Sequence, residues 1–347
     1  MTKIDPWHDV RDHLTDATAA LFPLPEFAQA AANPYSMSNF ESLLAPLIDS
    51  LEPKHFCEIG SDKGLNTQFM VSYCRAHEGQ LTIVDPLADE DGEITKFPFV
   101  THQAVLSLDY LKEPNDVDIY YIDGDHNYET VIQELRLIDR HRRPDKPICL
   151  FVHDTSWPCA RRDFYYAPDT VSSPHEYRGL GHHLSPYSEQ LVEAEGYEEG
   201  RGAMVALREA TEKNGVLTAV EDFMAEGQEK GWHRMSIPSL FGLTILWHRP
   251  SLSPEQDRVF EETAERMRTF IPFLNILELN RIILLELAYD AGITWKRQRA
   301  YIENLDEENA KLRRWLWPFL VAPRIAKAGM AYLRRRGEKP SEPDAKT

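Results

Sequence analysis

Apolar residues in the first 250 positions fall into two alternating rhythms. Short runs at Phe56–Ile59, Leu81–Val84, Val117–Ile122 and Ile148–Val152 have the length and continuity of strands buried on both faces. Stretches of helical period separate them, predicting helices over 65–76, 107–111 and 128–140, with a further strand near 99–102. Upstream, Phe40, Leu43, Leu44, Leu47, Ile48 and Leu51 form one apolar face, which predicts a helix over 38–51 with Ser38 as its N-cap. Pro46 implies a kink there or a shifted boundary. A helix opening at Asn214 and strands over 232–237 and 243–248, joined through Gly242, complete the series. Strand–helix alternation at this interval predicts an α/β fold with a doubly wound, mostly parallel sheet.

The polar residues that interrupt this pattern fall at strand carboxyl ends. The first strand carries Glu58 and turns through Gly60-Ser61-Asp62-Lys63-Gly64 into a helix. Such a glycine turn brings bare backbone N–H groups close to a ligand. The second strand ends at Asp85, 27 residues after Glu58, near the spacing at which a βαβ unit places the acid for a ribose. Helix capping by Glu58 and a turn role for Asp85 before Pro86 are the structural alternatives. The Gly-x-Gly-x-x-Gly pattern of nicotinamide enzymes is absent here. The fourth strand ends in Asp123-Gly124-Asp125-His126 and the fifth in His153-Asp154-Thr155. These groups on one rim suit a metal or an acid–base pair, or a helix cap at Asp125 and a hydrogen-bonded pair at His153 and Asp154.

Ile122-Asp-Gly-Asp-His-Asn-Tyr-Glu129, a helix, and then a strand ending in His153-Asp154-Thr155 resemble the class I S-adenosylmethionine (SAM) methyltransferases. The likeness is to those related to macrocin and rhamnosyl O-methyltransferases and to cephalosporin-hydroxylase-like proteins, and it spans roughly residues 36–250. It implies a Rossmann-like seven-stranded sheet with a closing antiparallel hairpin. It also implies that Glu58, Gly60, Ser61 and Gly64 line the methionine part of SAM and that Asp85 takes the ribose hydroxyls. Asp123, beside the cofactor, matches a position that holds Mg²⁺ in metal-dependent relatives, and Asp154 matches a second. His126 falls where catechol-type relatives place a catalytic lysine, making it a candidate general base. His153 replaces the usual acid or amide and is open to two readings, a further ligand or a rival base.

Composition narrows the partners. With 56 acidic and 38 basic residues, the net charge is −18 and the pI about 5.2, which argues against nucleic acid. The four cysteines lack metal-ligand spacing, and no stretch reaches the roughly 18 apolar residues of a membrane span. These features imply a reduced, cytoplasmic protein. After the fifth strand, Trp157, Arg161, Arg162, Tyr165, Tyr166, His175, His182 and His183 suit either a flexible surface loop or an acceptor-binding lid with aromatics on a sugar ring and arginines on an anion.

The C-terminal part is of another kind. Leu284, Ala288, Ala291, Trp295, Gln298, Ile302, Leu305, Asn309, Leu312 and Leu316 alternate at intervals of four and three, the seam of an α-helical coiled coil that would self-associate, the alternative being a helix docked back on the domain. Between Lys311 and Arg336 the charge is wholly basic and interleaved with Trp315 and Trp317, which suits an anionic membrane surface ahead of a solvated tail or RNA binding. The predicted organisation is an N-terminal arm over 1–34, a methyltransferase domain over 35–250, a helical coiled-coil region over 251–316, a basic amphipathic segment over 317–336 and a disordered tail over 337–347. The expected activity is O-methylation of a sugar or glycosylated intermediate in surface-polysaccharide assembly at the inner membrane face. Methylation of a phenolic or natural-product hydroxyl, and a non-catalytic coiled-coil scaffold, are the alternatives.

Overall fold

The computed structural model describes residues 36–61, 64–87, 95–179, 182–185, 188–193, 203–227 and 230–337. The arm expected over 1–34 and the tail beyond 337 lie outside them. Compact packing divides the chain between Glu286 and Leu287.

In the first unit the helix expected from Ser38 begins later. Ser36, not Ser38, supplies the capping oxygen, accepting from Ser38 N at 3.1 Å. A 3-10 turn over Met37–Phe40 then leads into α1, Glu41–Leu51. The alternating core follows: β1 His55–Ile59, α2 Leu65–His77, β2 Gln80–Val84, β3 Val100–Gln103, α3 Ser107–Leu111, β4 Ile119–Ile122, α4 Tyr128–His141 and β5 Cys149–His153. Five short strands come next: β6 Phe164–Tyr165, β7 Tyr177–Arg178, β8 His182–His183, β9 Val192–Glu193 and β10 Met204–Ala206. Helix α5 (Val216–Gly227) and strands β11 (Trp232–Ile237) and β12 (Leu243–His248) complete the core, and α6 spans Pro254–Gly337.

The main sheet has seven strands in the order β3-β2-β1-β4-β5-β12-β11. β12 runs antiparallel to β5 and to β11, and the other pairings are parallel. Period-2 alternation splits the apolar runs between two cores. Phe56, Tyr121, Phe151 and Trp247 face the layer of α1, α2 and the start of α6, with Leu47, Met70 and Phe260. Cys57, Tyr120, Leu150 and Leu246 face α4 and α5, with Leu135 and Phe223. Both faces are dry, which is why the runs read as continuous rather than alternating.

Strand order reverses between β1 and β4, and there the two following turns meet. Gly60 N donates to Val84 O at 3.0 Å and Asp123 N to Ile59 O at 2.9 Å. Gly60 has φ +80, and a Cβ on it would lie 2.3 Å from Asp123 O. Only glycine permits this approach. The crevice outside a reversal point is where open α/β sheets bind ligands.

In the second unit, α6 continues to Gly337, through the stretches read as seam and basic segment. Ile302 and Leu305 of the seam are exposed. No described helix is long and apolar enough to cross a membrane.

Gly60→Ala is expected to cost on the order of 3 kcal/mol, through backbone strain and displacement of the Asp123 turn. Urea denaturation of the two proteins measures the difference.

Candidate functional site

The turn after β1 is fixed from below. Glu58 is buried and accepts hydrogen bonds from Thr67 Oγ1 at 2.5 Å and Asn66 Nδ2 at 3.0 Å. Burial pushes its carboxyl up to about 8, against the pull of those two bonds. Glu58 thereby ties the first turn of α2 to β1. Gly64, at φ 68, starts α2 without a side-chain cap, so first-turn N–H groups are available to a polar ligand. Ser61 meets Asp85: its N and Oγ donate to Asp85 Oδ2 at 2.9 and 3.1 Å, and Leu87 N donates to Oδ1 at 2.9 Å. Oδ1 keeps acceptor capacity, as a carboxylate receiving a hydroxyl requires.

Across the reversal, the ends of β4 and β5 converge. His153 Nδ1 lies 3.1 Å from Asp123 Oδ1 and 3.5 Å from Asp154 Oδ2. His126 Nε2 lies 3.2 Å from Asp154 Oδ2 and 3.5 Å from Asp123 Oδ1. Thus two imidazoles and two carboxylates from separate strand ends form one cluster, and Cys159 approaches His126 and Asp154. Burial works against charge on these histidines, but the aspartates outweigh it. Asp154 and Asp123 push His126 up to about 9 and His153 well above the usual imidazole range, and the two imidazoles hold Asp123 down at about 2. In the free site both histidines therefore carry protons at neutral pH.

Asp154 has φ 57, a conformation that costs a non-glycine residue about 1–3 kcal/mol. The β11–β12 turn holds it in place: Ser156 N donates to Phe241 O at 2.6 Å and Ser156 Oγ to Pro238 O at 2.7 Å. Helix α6 braces that turn in its first-unit part. Glu278 accepts from Leu240 N at 3.1 Å and pairs with Arg281 at 2.6 Å, while the Arg281 guanidinium sits 4.2 Å from the Phe241 ring centroid. Phe40 packs edge-on against His153, centroids 6.3 Å apart.

The expected lid is corrected in part. Arg162 is buried, donating to Ala206 O at 2.7 Å and Glu189 O at 2.9 Å. Arg161 makes a two-bond pair with Glu221, and His175 Nε2 meets Lys213 O at 3.0 Å. These residues fasten the insertion to the core instead of awaiting an anion. Asp163 is its peg, accepting from Tyr128 N and Gly215 N, each at 2.7 Å. The strand of His182 and His183 is described, but their side chains lie outside what the structure describes. Tyr166 stays at the rim, 53% exposed, with its ring edge-on to His126 at 5.7 Å and its N donating to Asp125 at 3.2 Å. Asp125 also accepts from Asn127 Nδ2 at 2.6 Å, and Asn127, not Asp125, caps α4.

All nine residues proposed from sequence therefore lie on one rim. Reading by sequence missed Cys159, because only cysteine–cysteine spacing was considered and its neighbours come from two other strand ends. It also missed Glu278 and Arg281, which resemble an ordinary surface pair on a helix. None of the four cysteines is in a disulfide.

Residues 57–155 match the family model described as a methyltransferase domain. The match begins in β1 and ends just past Asp154, so it encloses all nine residues proposed from sequence. No curated protein matches the chain. Among solved structures, it is similar to methyltransferase PaMTH1 of Podospora anserina, described as SAH-bound (13% identity, 69% of this chain and 88% of that one, TM-score 0.39). It is similar to the O-methyltransferase of Bacillus cereus, described as in complex with SAH (11%, 68% and 97%, 0.37). It is also similar to N-methyltransferase NodS of Bradyrhizobium japonicum WM9 (13%, 52% and 98%, 0.30).

Beneath the rim, Glu134 of α4 is fully buried; Ser107 is nearby, but neither Glu134 oxygen has a hydrogen bond of good geometry among the described residues. Burial pushes its carboxyl up to about 8. Because the folded value exceeds the unfolded one, this group weakens the fold as pH rises from about 4.5 to about 8, by ~1.4 kcal/mol per pH unit. Glu134→Gln is expected to match the parent near pH 4.5 and to exceed it increasingly up to pH 8, as measured by urea denaturation across that range.

Proposed function

We propose that the chain is a SAM-dependent O-methyltransferase acting on a hydroxyl of a sugar or glycosylated acceptor, of the group related to macrocin and rhamnosyl O-methyltransferases. The observation that carries this is the meeting of the Ser61–Asp85 corner with the Asp123, His126, His153 and Asp154 cluster at one reversal point. SAM supplies a methyl group already activated on sulfonium. The protein's tasks are then to bind, align and remove a proton. Asp85 receives the ribose hydroxyls, and the turn from Gly60 to Gly64, held by Glu58, lies along the methionine part. Asp123 stands between that turn and the cluster, close to the reacting end.

His126 is the base we assign to the acceptor's proton. It is half-buried beside exposed Tyr166, whereas His153 is buried. The ring that takes the proton is the neutral fraction of His126, which grows as pH rises toward about 9, and Asp154 and Asp123 beside its Nε2 stabilise the imidazolium that forms. Tyr166 provides an aromatic wall at the rim, suited to the apolar face of a sugar ring. The sugar class and a divalent cation at Asp123 and Asp154, Mg²⁺ in the relatives, come from the sequence resemblance. So does the place of action, a cytoplasmic membrane face reached through the basic part of α6, with copies of the chain joined along the seam.

Calorimetric titration of the purified chain with SAM tests the reading. Micromolar binding is expected, weakened tenfold or more by Asp85→Ala with the fold intact by circular dichroism. Absence of binding would contradict it.

A further inference from the structure

The donor set at the rim is not one that Mg²⁺ favours. Mg²⁺ takes oxygen ligands in octahedral array at 2.0–2.1 Å, which sets neighbouring ligand atoms about 2.9 Å apart. A four-coordinate ion with bonds of about 2.0–2.2 Å spaces them about 3.3–3.6 Å apart. Here Asp123 Oδ1 to His153 Nδ1 is 3.1 Å and His153 Nδ1 to Asp154 Oδ2 is 3.5 Å. The ring of His153 is buried, so its nitrogen is aimed at the two carboxylates by packing against Phe40 and not by solvent. Imidazole suits the later transition ions, and the Cys159 thiol near His126 and Asp154 adds a soft atom at the margin. The strained Asp154 backbone, braced through Ser156, Phe241 and the Glu278–Arg281 pair, fixes the third donor.

We infer that Asp123, His153 and Asp154 form a three-residue site for a divalent transition ion of the Zn²⁺ and Co²⁺ kind, in preference to Mg²⁺. Three protein donors leave a position for water or an acceptor oxygen. His126 Nε2, 3.2 Å from Asp154 and 3.5 Å from Asp123, borders the same two carboxylates. This deepens the proposed function and rests on it for the identity of the acceptor, though not for the binding of the ion.

The test uses the full chain, stripped with a chelator and dialysed. It is titrated with Co²⁺ by visible absorption and calorimetry, with Zn²⁺ in competition and Mg²⁺ in parallel. One equivalent of Co²⁺ displaced by Zn²⁺ is expected, with Mg²⁺ at least 100-fold weaker. His153→Asn and the more accessible Asp123→Asn should each weaken Co²⁺ by 100-fold or more while circular dichroism is unchanged. His126→Asn should stay within tenfold of the parent. The inference is overturned if no ion binds, the imidazoles alone neutralising the aspartates. Mg²⁺ matching Co²⁺, or His126→Asn losing as much as His153→Asn, overturns it as well. SAM titrated into the same stripped protein separates the readings: SAM binding without ion selectivity defeats this inference alone, and ion binding without SAM defeats the methyltransferase proposal alone.

Discussion

The parallel pairing of β1 with β4 places two loops in contact at the reversal of strand order, and the contact tolerates no side chain at Gly60. The other features of the rim follow from this close approach. It sets the Gly60–Gly64 turn, with Ser61 on Asp85, directly beside Asp123, which then meets His126 and both groups at the end of β5. The Ser61–Asp85 corner and an ionisable cluster are thereby adjacent without any long-range closure of the chain.

Holding that cluster is expensive, since four ionisable groups sit where water is scarce. Mutual neutralisation offsets part of the cost: each imidazole lies within 3.5 Å of both aspartates. The remainder is carried by the scaffold. The β11–β12 turn, with Leu240 and Phe241 at positive φ, is clamped by α6 and in turn holds Asp154 at its own positive φ. The insertion after β5 is pinned through Asp163 and Arg162. These braces leave Tyr166 exposed beside His126. Rigidity behind the rim and one accessible aromatic in front of it suit a site that must align an acceptor before transfer.

Much of this was legible in the sequence because buried parallel strands are continuous apolar runs and their carboxyl ends are marked by acids and glycines. The seven strands, their alternation with helices and the shared rim of Glu58, Asp85, Asp123 and Asp154 follow from that pattern. Cys159 and the Glu278–Arg281 pair did not, nor did three other features. Ser36 rather than Ser38 starts the first helical turn, since a cap is chosen by local geometry among similar residues. Arg161 and Arg162 read as ligand-binding because their partners, Glu221 and the carbonyls of Ala206 and Glu189, lie far along the chain. The seam beyond Leu284 is legible as a period, but a period alone does not say what covers it, and Ile302 and Leu305 are exposed in this chain.

The central claim is that the β1–β4 reversal point holds the cofactor with its reacting end toward the histidine–aspartate cluster. A crystal structure of the chain with S-adenosylhomocysteine tests it most directly. The account predicts ribose hydroxyls on Asp85 and sulfur directed toward Asp123 and His126. Ligand density elsewhere on the domain, or a ribose remote from Asp85, would contradict it.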